Sequence, residues 1–166
     1  SKVTATGTLD ISGTTSGASI KSLDGAGTVT LGSKTLTLTA ANDTFSGAIG
    51  GTGGVAVSGG TQTLSGANTY SGTTTISGGL LRVTGSLSSS ASMAINYPGS
   101  LELGHDLTVS DLSGDGSLNL STYTLTSNIK FANGYKTLST AANAIDMLTI
   151  SYFGSTYYAS LITNFS

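Results

Sequence analysis

The 166-residue sequence predicts an all-β fold, a right-handed parallel β-helix (a β-solenoid) of about five coils with a C-terminal antiparallel β cap. Three observations predict this fold. Gly, Ser and Thr together supply close to half of the chain; apolar residues alternate with polar ones over short stretches; and one motif recurs at a fixed period. Alternation with a period of two, interrupted by glycines, is typical of short strands that bury one face.

The repeat accounts for residues 1–127, which form the predicted solenoid. The stretch 23–31 aligns with 49–57, and a partial copy lies at 112–120. Short strands that recur at a fixed period of about 20 to 30 residues predict a solenoid, because each coil can bury its apolar face only against the next coil. If the offset between the stretches 23–31 and 49–57 is the length of one coil, residues 1–127 form about five coils.

Glycine pairs are the predicted corners of each coil, because glycine adopts positive φ angles and tight bends without steric cost. Asn42 and Asn68 lie one predicted coil apart at equivalent corners, so we expect them to stack as a short amide ladder. The glycine pairs lie at 50–51, 53–54, 59–60 and 78–79.

The C-terminal segment, 128–166, breaks the pattern and is predicted to form a separate element. Asn133-Gly134 is a hairpin signal, and the stretches 147–152 and 157–163 are predicted strands. We interpret the segment as a β cap on the last coil or as an oligomerisation element, two roles that can coexist. Aromatic residues are enriched in protein interfaces. Seven of the eleven aromatic residues lie here and form the predicted oligomer or partner contact: Phe131, Tyr135, Tyr152, Phe153, Tyr157, Tyr158 and Phe165.

The composition argues against several classes of protein. Charged residues make up 8% of the chain, the net charge is −2, and the basic residues form no cluster, so we expect no nucleic-acid partner. The apolar runs fall far short of the roughly 20 residues that a membrane-spanning helix needs, so we expect no membrane span. The chain has one His and no Cys, which leaves few side chains for acid–base or metal chemistry.

Candidate catalytic and metal-binding groups are few. His105 precedes Asp106 in a chain rich in Ser, but the Gly-x-Ser-x-Gly motif of a nucleophile elbow is absent from the sequence. Asp111 and Asp115 flank a bend that offers too few oxygen ligands for Ca²⁺. We therefore predict that the protein is not an enzyme and has no catalytic residue, metal or cofactor. A polysaccharide-degrading β-helix is the less favoured alternative. Such enzymes place several charged residues on one face of adjacent coils, and only 8% of this chain is charged.

The stretch 63–83, TLSGANTYSGTTTISGGLLRV, resembles the autotransporter-associated β-strand repeat found in passenger domains of Gram-negative surface proteins. Residues 7–127 are compatible with the same pattern. The resemblance implies a parallel β-helix exposed outside the cell, often in adhesion or aggregation. It gives the alternative interpretation of function, an autotransporter passenger segment that acts as an adhesin on the bacterial cell surface.

The C-terminal stretches 137–150, 154–161 and 164–166 resemble the closing segment of tail-fibre and other virion proteins of tailed bacteriophages. This resemblance gives the leading interpretation of the sequence, a non-enzymatic structural or attachment protein on the virion surface, either a fibre or a capsid decoration protein. The expected partners are further copies of the chain, with a trimer favoured by analogy with fibre proteins, together with other virion proteins or a host-surface receptor or glycan.

Overall fold

A computed structural model describes residues 1–119 in full and, beyond them, the backbone of the strands within 125–131, 134–136, 147–153 and 156–162. Every described element is a β-strand, and most strands have three or four residues, because the chain turns a corner after each short alternating stretch. In chain order the strands are β1 (Val3–Ala5), β2 (Thr8–Asp10), β3 (Ala18–Ile20), β4 (Leu23–Gly25), β5 (Thr28–Thr30), β6 (Leu36–Leu38), β7 (Thr44–Phe45), β8 (Ala48–Gly50), β9 (Val55–Val57), β10 (Thr61–Leu64), β11 (Thr74–Ile76), β12 (Leu80–Val83), β13 (Ser92–Ile95), β14 (Ser100–Leu103), β15 (Leu107–Ser113), β16 (Ser117–Asn119), β17 (Leu125–Phe131), β18 (Gly134–Lys136), β19 (Met147–Phe153) and β20 (Thr156–Ile162).

Strands β1 to β17 stack into a parallel β-solenoid. The seven-stranded sheet has the order β1-β4-β7-β10-β12-β14-β16, and the eight-stranded sheet has the order β18-β17-β15-β13-β11-β9-β6-β3. A three-stranded sheet, β2-β5-β8, forms a third face along the first three coils. Seven strands stacked one coil apart make about six turns, which confirms the predicted parallel β-solenoid with one turn more than expected.

The coil is shorter than the predicted repeat. Val3 is the register partner of Leu23 on the next coil, and the spacing is shorter still between Ser100 and its partner Ser117. The predicted period, the offset from 23–31 to 49–57, is therefore wrong. Most corners contain glycine and most faces show a similar alternation, so the sequence alignment matched β4 and β5 with β8 and β9, which lie one coil and one face further along.

Columns of inward-facing side chains form the core. Leu36, Val55, Thr74 and Met93 are register partners on consecutive coils of the eight-stranded sheet, and all four are buried. Burying one large aliphatic side chain of this kind contributes about 1.5–3 kcal/mol. Because each coil covers the next, the stack also sets the outward-facing side chains at a regular spacing of about 4.8 Å.

Gly60 and Gly79 confirm the prediction that glycine pairs form corners. Their φ angles are 75° and 72°, in the left-handed region that favours glycine. A Cβ at Gly79 would lie 2.1 Å from the carbonyl oxygen of Gly60, and a Cβ at Gly60 would lie 2.0 Å from that of Ala41. No side chain fits at these two positions, so successive coils approach each other closely at this corner.

The abundance of Ser and Thr has a structural reason at the strand ends. Ser58 donates both its backbone N–H, at 2.9 Å, and its hydroxyl, at 3.2 Å, to the carbonyl oxygen of Leu38 on the preceding coil. Each such residue adds a second hydrogen bond between coils where the ladder ends. The same double contact to the preceding coil is made by Thr39, Ser46, Thr52, Ser65 and Ser110.

Gln62 closes a gap in the seven-stranded sheet. Strand β7 has only two residues and pairs with β4 at one position. The buried side chain of Gln62 reaches across from β10, where its Oε1 accepts a hydrogen bond from the Leu23 N–H at 3.2 Å. Its Nε2 donates to the carbonyl oxygens of Leu23 at 2.8 Å and Asp43 at 3.0 Å. The side-chain amide therefore supplies the donor and acceptor that a longer β7 would provide.

The C-terminal strands form antiparallel pairs. Strand β17 pairs in parallel with β15 up to Asn128 and antiparallel with β18 from Ile129. Strands β19 and β20 form a two-stranded antiparallel sheet in which Phe153 pairs with Thr156. The two predicted strands of this segment are thus confirmed to within one residue at each end. That the hairpin closes the last coil as a cap stays a prediction.

Candidate functional site

The aromatic residues predicted to form an oligomer or partner contact lie in the C-terminal segment. Six of them lie on described strands, and Phe165 lies outside the described residues. Tyr152 pairs with Tyr157 across the β19–β20 hairpin. Their side chains lie outside the described part of the structure, so the contact and the trimer stay predictions. The six are Phe131 on β17, Tyr135 on β18, Tyr152 and Phe153 on β19, and Tyr157 and Tyr158 on β20.

The structure does not bring Asn42 and Asn68 into one ladder, because their separation in the sequence exceeds the length of a coil. Asn42 is exposed and donates its backbone N–H to the hydroxyl of Ser22 at 3.0 Å. Asn68 is buried. Its Oδ1 accepts from the N–H of Ile49 at 3.2 Å, and its Nδ2 donates to the carbonyl of Ser86 at 3.3 Å. Asn68 therefore bridges the coils before and after its own by side-chain bonds to the backbone.

An ion cluster joins the first three coils. Lys2 Nζ lies 2.9 Å from Asp24 Oδ2 and 2.6 Å from Asp43 Oδ1. These hydrogen bonds raise the pKa of Lys2 and hold the pKa of both carboxyls below their usual value, with further help from the Gly25 N–H at Asp24 and from Ser22 at Asp43. The cluster thus ties the N-terminal coil to the two coils that follow.

His105, the single imidazole of the chain, is half-buried and faces main-chain carbonyls. Its Nδ1 contacts the carbonyl of Asp106, and its Nε2 contacts that of Gly85 on the preceding coil. Asp115 accepts a hydrogen bond from the backbone N–H of Tyr97 at 2.8 Å. These groups hold loops in place. Within the described part of the chain, no group of three or more His, Cys, Asp or Glu residues is placed to hold a metal ion.

A groove of about 480 Å³ opens on the seven-stranded sheet and crosses β10, β12, β14 and β16. Thr61, Leu80, Ser100 and Ser117, which are register partners on these four consecutive coils, line it together with Glu102. The corner glycines described above also line the groove, and because they carry no side chain they leave it open at that side.

An ion pair fixes the carboxylate in the groove. Arg82 and Glu102 are register partners on β12 and β14. Arg82 Nη2 lies 3.0 Å from Glu102 Oε1 and 3.1 Å from Oε2. Both side chains are partly exposed, so the pair adds little to stability. Its effect is to hold the carboxylate in one orientation and to balance its charge.

Sequence reasoning missed the groove and two buried polar side chains. On β10 inward-facing and outward-facing positions alternate, and Gln62 occupies an inward-facing one. A polar residue at a position where an apolar one is expected was the signal that could have identified it. Tyr70 is fully buried, its hydroxyl is hydrogen-bonded to that of Thr74 at 2.6 Å, and burial raises its pKa to about 12. Its backbone N–H donates to the carbonyl of Ile49, so Tyr70 fills the third face where the three-stranded sheet ends.

These observations define a class of protein, a parallel β-solenoid whose surface carries small hydroxyl side chains, a few ion pairs and an open groove. The family model of the passenger-associated-transport-repeat matches residues 57–83. The match runs from the end of β9 to the end of β12, so it covers one complete coil, and it supports the resemblance to autotransporter passengers seen at 63–83.

The other comparisons add no relative. No curated protein and no solved structure matches the chain. The resemblance of the stretches between 137 and 166 to virion proteins therefore has no support beyond the sequence pattern itself. Among the residues that the structure describes, no helix is long and apolar enough to cross a membrane.

Proposed function

We propose that this protein is a β-solenoid segment of an autotransporter-like passenger, exposed on the bacterial cell surface, where it acts in adhesion without catalysing a reaction. The observation that carries the proposal is the passenger-associated-transport-repeat match at 57–83, because the matched coil is continuous with the coils on both sides of it. The match favours the alternative interpretation of the sequence over the virion interpretation.

The packing of the solenoid suits a chain that folds after it has left the cell. Register partners such as Val3 and Leu23, or Ser100 and Ser117, are separated by one coil, so each coil pairs with the coil before it and the coil after it. In such a stack, folding can begin at one coil and propagate along the chain. The chain has no Cys, so the coils are held by hydrogen bonds and apolar contacts, and folding outside the cell needs no oxidant.

Five of the charged side chains in the described coils support a non-catalytic role. Lys2 is paired with both Asp24 and Asp43, and Arg82 is paired with Glu102. A general acid or base must be able to exchange a proton with a substrate at the working pH. Side chains held in ion pairs across coils are better suited to joining the coils than to proton transfer.

Surface exposure can be tested in cells that produce the protein. An antibody raised against the solenoid is used to label intact cells, and the cells are treated with a protease that does not cross the outer membrane. We expect labelling of intact cells and loss of the labelled band after protease treatment. A periplasmic protein serves as the control and should survive until the outer membrane is permeabilised.

Two outcomes would overturn the proposal. One is a solenoid that is labelled only after the cells are lysed. The other is co-purification of the protein with phage particles on a density gradient, which would restore the virion interpretation. The reading frame offers an independent check, since capsid and portal genes next to it would also favour a virion protein.

A further inference from the structure

We propose that the groove across β10, β12, β14 and β16 binds an uncharged, linear glycan that runs along the solenoid axis. Its volume of about 480 Å³ falls within the range of about 300–1,000 Å³ that is typical of small-molecule sites. The proposal adds a ligand class to the proposed function, since adhesion needs a ligand. It is tested on the purified protein, so its outcome does not depend on where in the cell the protein is found.

The spacing of the side chains in the groove favours a polymer with a short repeat. Thr61, Leu80, Ser100 and Ser117 are register partners on four consecutive coils. Neighbouring positions are therefore about 4.8 Å apart, and the set spans about 15 Å. One pyranose unit of an extended glycan has a similar length. Successive sugar units can therefore meet equivalent positions on successive coils.

The polar groups in the groove match sugar hydroxyls. The hydroxyls of Thr61, Ser100 and Ser117 can each donate one hydrogen bond and accept others, as sugar hydroxyls do. Glu102 adds an ionised acceptor, and a hydrogen bond to an ionised group is stronger than one between neutral groups. Because Arg82 already orients this carboxylate, little side-chain entropy is lost when a sugar hydroxyl binds to it.

The remaining features favour a neutral sugar over a charged one. Leu80 is half-buried and stands among hydroxyl-bearing residues, where it offers an apolar contact to the C–H face of a sugar ring. Among the described residues that line the groove, Glu102 is the only charged one. Arg82 is already paired with this carboxylate, so an acidic glycan would find no unpaired cation among the described residues that line the groove.

A pair of matched variants tests the site. Ser100→Tyr places a bulky side chain inside the groove, whereas Ala94→Tyr places the same side chain on an outward-facing position of β13 in the other sheet. Binding of neutral hexasaccharides (β-1,4-glucan, α-1,4-glucan, β-1,4-mannan and β-1,4-galactan) and of an acidic control, oligogalacturonate, is measured by titration calorimetry on the purified chain. Circular dichroism verifies that both variants retain the sheet.

We expect one or more of the neutral glycans to bind with a Kd of about 0.1–1 mM, as suits an open groove with few polar contacts. Ser100→Tyr should weaken that binding at least about tenfold, and Ala94→Tyr should leave it unchanged. The proposal fails if none of the four neutral glycans binds, if both tyrosine variants lose affinity equally, or if oligogalacturonate binds as tightly as the neutral glycans.

Glu102→Gln gives a second readout that does not depend on a bulky substitution. The side chain is at the surface and the change keeps its shape, so the solenoid should fold normally. Loss of the ionised acceptor should weaken binding of the neutral glycan about three- to tenfold. Unchanged affinity in this variant, together with unchanged affinity in Ser100→Tyr, would place any glycan binding elsewhere on the protein.

Discussion

Replacing Gln62 with Leu should destabilise the solenoid, although the new side chain is apolar and similar in size. Gln62 is fully buried, and its amide is hydrogen-bonded to both backbone groups of Leu23 and to the carbonyl of Asp43. Each buried backbone group left without a partner costs about 1–3 kcal/mol. With the two groups of Leu23 unpaired and part of the loss offset by burial of the new apolar side chain, we expect about 3 kcal/mol of destabilisation.

Urea unfolding followed by circular dichroism measures this change. Thr63→Val, at the adjacent outward-facing position of β10, is the matched control and should change the free energy of unfolding by less than about 0.5 kcal/mol. Gln62→Glu gives a diagnostic pH dependence. The ionised carboxylate would face the carbonyl oxygens of Leu23 and Asp43, so the buried group favours its neutral form and the variant should gain stability as the pH falls. If Gln62→Leu unfolds at the same urea concentration as the wild type, the side-chain amide does not close the ladder.

Two further predictions concern the corner and the N-terminal ion cluster. Gly79→Ala should cost more than about 2 kcal/mol, because φ is 72° and the new Cβ would meet a carbonyl oxygen, whereas Gly13→Ala, where no atom lies within 4 Å, should change the melting temperature little. Lys2→Met should flatten the pH dependence of the melting temperature. In the wild type the pKa values of Asp24 and Asp43 lie below their usual value of 3.8, so the two carboxylates add stability at any pH above 3.8. This stability is lost as the pH falls through the lowered pKa values. A variant that loses stability in acid as steeply as the wild type would refute this role of Lys2.

The fold class could be predicted from the sequence because its signals are local. Alternation over three or four residues defines a strand with one buried face, and glycine pairs such as 59–60 and 78–79 define corners. The length of a coil could not be predicted in the same way. Corners and faces repeat the same small residues, so an alignment can shift by one face without losing any matches, and only the pairing of strands shows where one coil ends and the next begins.

The same limit explains why the groove escaped sequence reasoning. Only Ser100 and Ser117 among the four aligned groove residues are of one type, and Thr61 and Leu80 join them only because the backbone register places all four on consecutive coils. The opposite charges of Arg82 and its register partner on β14 were a signal of the true period, since two unlike charges that form an ion pair across parallel strands must lie one coil apart in sequence. In a solenoid the residues that form a surface site are therefore one coil length apart in sequence. The coil length has to be established from pairs of this kind before a binding surface can be recognised.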